Sequence, residues 1–295
     1  MLKRRKFHLR LPSRMLTLGE RTLVMGVLNV TPDSFSDGGK FLDPQLAIEH
    51  ALEMERAGAD LLDVGGESTR PGSKGTPVEA ELARILPVLE GLRGTLKIPI
   101  SIDTRKSEVA EAAISSGAQI INDISGLRSD PRIADVARRR GVPLILMHMR
   151  GEPETMQKKP FARDVMRDVM QGLRASVTKA RKAGVAKSQI IIDPGIGFGK
   201  SFEQNYELLR KLQEFAKLGY PLLVGASRKG FLGATLARNG KAAPAEDRVW
   251  ATAASVTASI LGGAHMVRVH DVAEMVQVAR VADCLLDAAN CRKFR

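Results

Sequence analysis

Short apolar runs bounded by turn-forming residues recur at residues 22 to 29, 60 to 65, 98 to 103, 118 to 124, 142 to 148, 189 to 193, 221 to 226 and 264 to 269. Their near-continuous Val, Ile and Leu content, as in Pro143-Leu144-Ile145-Leu146 and Ile190-Ile191-Ile192, predicts strands buried on both faces, as in a parallel sheet covered by helices. Segments with helical spacing lie between these runs. Most end at a glycine suited to the left-handed position after a helix: Gly58, Gly94, Gly117, Gly141, Gly184, Gly219 and Gly262. Eight strand–helix alternations leave two architectures, an open doubly wound sheet or a closed (β/α)8 barrel. No Gly-rich dinucleotide turn follows the first strand, which favours closure. The expected fold class is α/β: a single (β/α)8 TIM barrel, one domain over residues 1–295, with residues 7 to 18 forming an N-terminal β-hairpin that covers the barrel floor.

Two connections break the short-loop rule. Residues 30 to 42 after the first strand and 66 to 78 after the second are long and rich in Gly, Pro, Ser, Thr and Asp. They fall at the carboxyl ends of strands, the face where barrels keep their chemistry. The same face collects polar side chains that the apolar layers below it do not accommodate without partners. These are Asn29, Asp63, Asp103, Asn122, His148, Asp193, Lys229 just past the seventh strand, and the pair Arg268 and His270 on the eighth. Each taken singly reads equally well as a helix cap, a turn former or a satisfied core polar group. Together they predict one mouth.

Period-2 alternation supports a shared direction. Arg268 and His270 are two apart and point one way while Val267 and Val269 face the helices, and Asp193 points opposite to Ile190 and Ile192. Asp103, Asn122 and Asp193 then offer acceptors and an amide to a planar nitrogen heterocycle, over which Arg268 stacks while its charge reaches an anion. Asn29 and His270 would complete an anion or metal site, a lone Asn being a weak signal for Mg²⁺. The run Gly195-Ile196-Gly197-Phe198-Gly199-Lys200-Ser201 ends like a phosphate loop but has Pro194 where that motif needs its first glycine, so it reads as a βα turn.

Charge narrows the partners rather than the fold. Lys and Arg number 45 against 33 Asp and Glu, a net charge of +12. The basic residues are spread over helices, as at Lys179 to Lys182 and Arg138 to Arg140, and aromatic content is only 4%, so no base-stacking platform for nucleic acid is visible. An acidic substrate or simple solubility accounts for the excess. The cluster Lys3 to Lys6 reads as a solvated edge, no h-region follows it, and no stretch of about 18 uncharged apolar residues is present to span a membrane. With two cysteines only, Cys284 and Cys291, the expectation is a reduced, cytoplasmic protein with no membrane and no nucleic-acid partner.

Seven ordered signatures then carry a resemblance. They are Gly26-Val27-Leu28-Asn29-Val30-Thr31-Pro32-Asp33-Ser34-Phe35-Ser36-Asp37-Gly38-Gly39, Asp63-Val64-Gly65-Gly66-Glu67-Ser68-Thr69-Arg70-Pro71-Gly72, Ile102-Asp103-Thr104, Asn122-Asp123-Ile124-Ser125-Gly126, Asp193-Pro194-Gly195, Ser227-Arg228-Lys229 and Arg268-Val269-His270. Over essentially its whole length the chain resembles the dihydropteroate synthase family of pterin-binding TIM barrels. The resemblance implies a folate-pathway transferase in which p-aminobenzoate displaces pyrophosphate from dihydropterin-CH2-pyrophosphate, forming a C–N bond. By position it implies Asp103, Asn122, Asp193 and Lys229 as the pterin set, with Met147 and Phe198 as apolar walls and Arg268 over the ring. It further implies that Asn29, Thr69, Arg268 and His270 hold the pyrophosphate and its Mg²⁺, with Asn29 as the metal ligand. Asp33, Phe35, Arg70 and Pro71 on the two long loops would assemble the p-aminobenzoate pocket, and Asp33, Arg70, Lys229 and Arg268 would be the catalytic set.

The loops are expected to close over substrate before bond breaking, and the Ala-, Ser- and Thr-rich helix from Ala245 to Leu261 fits the homodimer that the resemblance suggests. One departure is Gly230, where several relatives carry serine or a larger residue near the p-aminobenzoate carboxylate. Two rivals share the barrel: a pterin-binding methyltransferase domain, which the two long loops speak against, and a catalytically silent pterin-binding paralogue.

Overall fold

The structure, a computed structural model, describes residues 4–31, 43–69, 72–73, 75–156, 163–289 and 291. A hairpin, β1 (Phe7–Arg10) and β2 (Met15–Leu18), precedes eight strands: β3 (Leu23–Asn29), β4 (Leu61–Gly65), β5 (Ile100–Asp103), β6 (Ile120–Asp123), β7 (Leu144–Met147), β8 (Ile190–Asp193), β9 (Leu223–Val224) and β10 (Met266–Val269). These eight pair in parallel in the order β8-β7-β6-β5-β4-β3-β10-β9. The ends meet through an isolated parallel bridge between Ile192 and Leu222, with the Ile192 N–H donating to Pro221 O at 3.0 Å. The eight expected strands are all present and the barrel is nearly closed.

The helices between them are α1 (Pro44–Arg56), α2 (Val78–Leu92), α3 (Ser107–Ser115), α4 (Ile133–Arg140), α5 (Val165–Lys182), α6 (Phe202–Arg210), α7 (Gly230–Thr235), α8 (Val249–Leu261) and α9 (Val272–Leu286). Local chemistry sets their starts. Asp43 accepts from the Gln45 N–H at 2.9 Å with Pro44 in the first turn, and Ser201 and Gln204 form a reciprocal capping box that fixes where the turn after β8 ends. Of the seven glycines expected in the left-handed region, six have positive φ; Gly262 has φ −77° and Gly263 takes that role with φ +99°. Gly262 is needed for space instead, since a Cβ there would lie 2.9 Å from Leu212 Cβ. The segment expected as one helix from Ala245 is a 3-10 turn over Ala245–Arg248 followed by α8.

Alternation along each strand divides the core in two. Outward side chains such as Val64, Ile102, Leu144, Ile192 and Val267 pack beneath the helices. Inward ones, including Met25, Leu61, Ile120, Ile145, Ile191 and Met266, pack together with Leu9, Leu11 and Leu18, so the hairpin plugs the barrel floor as its sequence predicts. One end of the basic amino-terminal cluster departs from its reading as a solvated edge. Arg4 is buried against Asp283 at 2.5 Å and also donates to the Ala264 carbonyl at 2.9 Å, tying the segment before the hairpin to α9, whereas Lys6 pairs with Glu20 at the surface. No helix among the described residues is long and apolar enough to cross a membrane.

Candidate active site

Two residues above the apolar floor layer the inward positions turn polar: Asp63 above Leu61, Asn122 above Ile120, Asp193 above Ile191 and Arg268 above Met266, while on β5 Asp103 stands above Ser101, which is already polar. Register staggers them around the barrel, with Asp63 opposite Ser101, Asp103 opposite Gly65 and Asn122, and Asp193 opposite Met147, and their side chains converge across the stagger. Arg268 joins the group. Its Nε donates to Asp63 Oδ2 at 2.6 Å and its Nη2 to Asp103 Oδ2 at 2.7 Å, while Asn122 Nδ2 donates to Asp63 Oδ2 at 3.0 Å. Ion pairs this buried recover little net stability after desolvation, so their presence is better explained by a ligand than by folding.

Desolvation also moves the titrating groups. Burial raises the Asp103 carboxyl to about 7, against the pull of Arg268 and with a further push from the neighbouring Asp63. Burial raises Asp193 to about 6, although its Oδ1 accepts the Gly195 N–H at 2.7 Å and Lys200, Lys229 and Arg268 favour its anion. Lys229 is lowered to about 8 by burial and by Arg268, and its ammonium lies 4.0 Å from the centroid of the Phe198 ring. Phe198 belongs to an apolar wall with Ile124, Met147, Met149 and Met156. The ring of strands from β5 to the end of β9 therefore offers acceptors, one ammonium and a flat hydrocarbon wall, the requirements of a flat heteroaromatic guest.

The other arc consists of β4, β3 and β10, adjacent in the sheet, which carry Thr69, Asn29 and His270 at or just beyond their carboxyl ends. All three are partly exposed. His270 Nδ1 and Ser227 Oγ are 3.1 Å apart, and burial with the nearby cations Arg268 and Arg228 lowers the imidazole to about 3, so it is neutral at physiological pH. Arg228 has φ +57°, an uncommon conformation for its type, and is held by Asp271 through a two-pronged ion pair, by its own N–H to Thr252 Oγ1 at 3.1 Å and by Arg248 on its carbonyl at 2.7 Å. That brace sets the following residue, Lys229. Of the sequence-predicted residues, the structure brings together Asp103, Asn122, Met147, Asp193, Phe198, Lys229 and Arg268, and sets Asn29, Thr69 and His270 on the neighbouring arc; Asp33, Phe35, Arg70 and Pro71 lie outside the described residues.

Three features escaped the sequence reading as site residues. Asp63 stands among the strand-end polar groups, but its contacts with Asn122 and Arg268 depend on barrel register. Glu67 is buried between Arg105 and Lys106, each at 2.7 Å, with Glu81 also on Lys106, and Arg105 reaches Glu152, so the loop after β4 is tied to those after β5 and β7. Burial pushes Glu67 up, and the bonds from Lys106 and Arg105 more than reverse this, leaving it below the usual carboxylate range. Lys200 is buried, donating to the carbonyls of His148, Gly195 and Phe198 at 2.8 to 3.0 Å, and burial lowers it to about 7. The glycines before it have a steric reason. A Cβ at Gly195 would overlap the His148 carbonyl oxygen and one at Gly199 the Arg150 carbonyl oxygen, both backbone atoms just past β7.

Similarity to known proteins agrees with this geometry. The model of the pterin binding enzyme family matches residues 25–270. The dihydropteroate synthase of Synechocystis sp. is 49% identical over 267 residues, covering 90% of this chain and 91% of that one. Xanthomonas albilineans dihydropteroate synthase solved with 4-aminobenzoic acid is 42% identical, with a TM-score of 0.88 and coverage of 96% of this chain and 99% of that one. The same enzyme in complex with 7,8-dihydropteroate gives 40% identity, a TM-score of 0.84 and coverage of 95% and 99%. Barrel, polar mouth and kinship over nine-tenths of the chain converge: the chain belongs to the pterin-binding enzymes, among the dihydropteroate synthases.

Proposed function

We propose that the mouth condenses dihydropterin-CH2-pyrophosphate with p-aminobenzoate to give 7,8-dihydropteroate and pyrophosphate, a transferase reaction that forms a C–N bond. The single observation that carries this reading is the junction of the two arcs at Arg268, whose guanidinium touches Asp63 and Asp103 on one side and lies on the strand that leads to His270 on the other. Asp103, Asn122 and Asp193 accept from the N–H groups of the pterin, Lys229 donates to its carbonyl, Met147 and Phe198 supply its apolar wall, and Arg268 lies over the ring. The C–O bond to pyrophosphate breaks with its electron pair on the departing oxygen, the amine of p-aminobenzoate supplies the pair for the new C–N bond, and that nitrogen then loses a proton to solvent. The protein supplies position and charge rather than a nucleophile.

Asn29, Thr69, Arg268 and His270 hold the pyrophosphate. Among the described residues no cluster of three His, Cys, Asp or Glu is able to hold a metal ion, and Asn29 offers a hard oxygen of the kind Mg²⁺ accepts, which fits an ion that arrives on the pyrophosphate as part of the substrate. Such an ion would offset charge on the leaving group. Asp33, Phe35, Arg70 and Pro71 complete the p-aminobenzoate side, with Asp33 and Arg70 counted as catalytic. At Gly230 an added Cβ would meet nothing within 4 Å, so the glycine leaves open space next to Lys229. Closure of the long loops excludes water that would otherwise capture the electron-poor pterin methylene carbon left as the C–O bond breaks.

A homodimer through α8 fits the apolar side chains that helix exposes, Trp250, which is 79% exposed, and Leu261. The deciding experiment is pyrophosphate release from dihydropterin-CH2-pyrophosphate by the purified protein. Release that needs both p-aminobenzoate and Mg²⁺ is expected. Pterin binding with no release would instead favour a silent pterin-binding paralogue.

A further inference from the structure

Asp63 is fully buried on the inward face of β4. Its Oδ2 accepts twice, from Arg268 Nε at 2.6 Å and from Asn122 Nδ2 at 3.0 Å, while its Oδ1 has no partner among the described residues. Ser101, its register partner on β5, also has a buried hydroxyl without a partner. A buried carboxylate with one oxygen unpaired is an unfavourable way to fill a core position, so stability alone does not account for it.

Its contacts do. An amide has a donor end and an acceptor end, and turning the Asn122 amide over would press its oxygen against a carboxylate oxygen. Asp63 thereby fixes Asn122 Nδ2 toward β4 and leaves Oδ1 as the end available to a ligand. The guanidinium is fixed in the same way, because Nε on Asp63 and Nη2 on Asp103 define its plane. With Asp63 in place the mouth presents acceptors at Asp103, Asn122 and Asp193 and a donor at Lys229. That pattern selects a ring edge rich in N–H groups with one carbonyl.

Resting on the reading above, we propose that Asp63 is a positioning residue that sets ring specificity by orienting the Asn122 amide and the Arg268 guanidinium, without itself needing to touch the pterin. The test uses Asp63→Asn, which keeps size and one acceptor oxygen but supplies a competing donor. Binding of 6-hydroxymethylpterin and of its analogue with the ring amine replaced by methyl is measured by calorimetry, beside KM for p-aminobenzoate. Asp63→Asn is expected to weaken pterin binding about tenfold or more, to shrink the preference for the amine-bearing ring, and to leave the KM for p-aminobenzoate within about twofold. Because part of the effect passes through Asn122, the pair Asp63→Asn with Asn122→Ala is expected to lose clearly less affinity than the two single losses combined, the remainder reflecting the Arg268 guanidinium.

A folded Asp63→Asn protein with unchanged affinity and ring preference, or additive losses in the pair, overturns the proposal. If the variant does not fold, amide hydrogen exchange on the unaltered protein decides. One Asn122 side-chain proton should be strongly protected with or without pterin, and two freely exchanging protons would overturn the orientation. Wild-type protein that binds no pterin sinks the proposed function and this inference together, whereas wild-type binding beside an indifferent Asp63→Asn variant sinks only the inference.

Discussion

Along β4 the side chain sent into the barrel at Leu61 meets only hydrocarbon, whereas the one two residues on, Asp63, meets a guanidinium and an amide. The same step recurs on β6 from Ile120 to Asn122, on β8 from Ile191 to Asp193 and on β10 from Met266 to Arg268. Floor and mouth share a backbone and differ by one turn of the pleat. The floor layer, sealed by Leu9 and Leu18 of the hairpin, gains about 25 cal/mol for each Å² of apolar surface it removes from water. The mouth gathers charges that water would have solvated, and their desolvation is offset only in part by one another. Stability and ligand recognition are thus separated by height within one barrel.

The largest expected effect is at the mouth. Asp193→Ala or Lys229→Ala should each lower pterin affinity by about 100-fold or more, since a charge-assisted hydrogen bond is lost in a site closed to water. Arg70→Ala should spare pterin affinity and cut turnover about tenfold, because its expected role is in the closed complex. Calorimetric titration beside a turnover assay separates the two. Equal losses of affinity in all three would erase the distinction between the pterin edge and the loops.

At the floor the order reverses. Ile191→Ala, one pleat below Asp193 and fully buried, should cost about 3 kcal/mol of unfolding free energy and leave pterin affinity within about twofold. Leu18→Ala should behave alike through the hairpin plug. Chemical denaturation of both variants, with and without pterin, is the measurement. A floor variant that kept its stability but lost its ligand would show the two layers to be coupled rather than stacked.

Much of this division is visible before folding. The apolar runs predict all eight strands, and parity alone sends Arg268, His270 and Asp193 inward, because period 2 is a local property of extended chain. The hairpin floor follows from the same alternation at residues 7 to 18. What parity does not give is partners: that Arg268 spans Asp63 and Asp103 depends on which strands lie across the barrel, a long-range outcome of closure. Lys200 shows the limit most plainly. Its sequence neighbours resemble a phosphate loop, yet its ammonium is taken up by three backbone carbonyls that meet only because glycines let the turns after β7 and β8 approach. Gly262 is similar, its role set by Leu212 across a helix contact rather than by the turn it appears to end.

The smallest expected effect measures what the mouth costs the fold. Burial lifts Asp193 to about 6 in the folded protein, above the 3.8 of an exposed aspartate, so between those values the native state holds a proton that the unfolded chain has released. Stability from this group is therefore greatest below about pH 4, falls as pH rises through about 6, and stays reduced above that. Asp193→Asn keeps the acceptor for the Gly195 N–H and removes the titration. Unfolding free energies measured at pH 5 and pH 7.5 should fall less between those values in the variant, and it should exceed the wild type by about 2 kcal/mol at the higher pH while binding pterin worse. Ile191, two residues earlier on the same strand, has no such term, so Ile191→Ala should shift the whole profile downward without changing its slope. If Asp193→Asn instead lowered stability at pH 7.5, the mouth carboxylate would be helping to hold the barrel together, and the assignment of stability to the floor and recognition to the mouth would fail on β8.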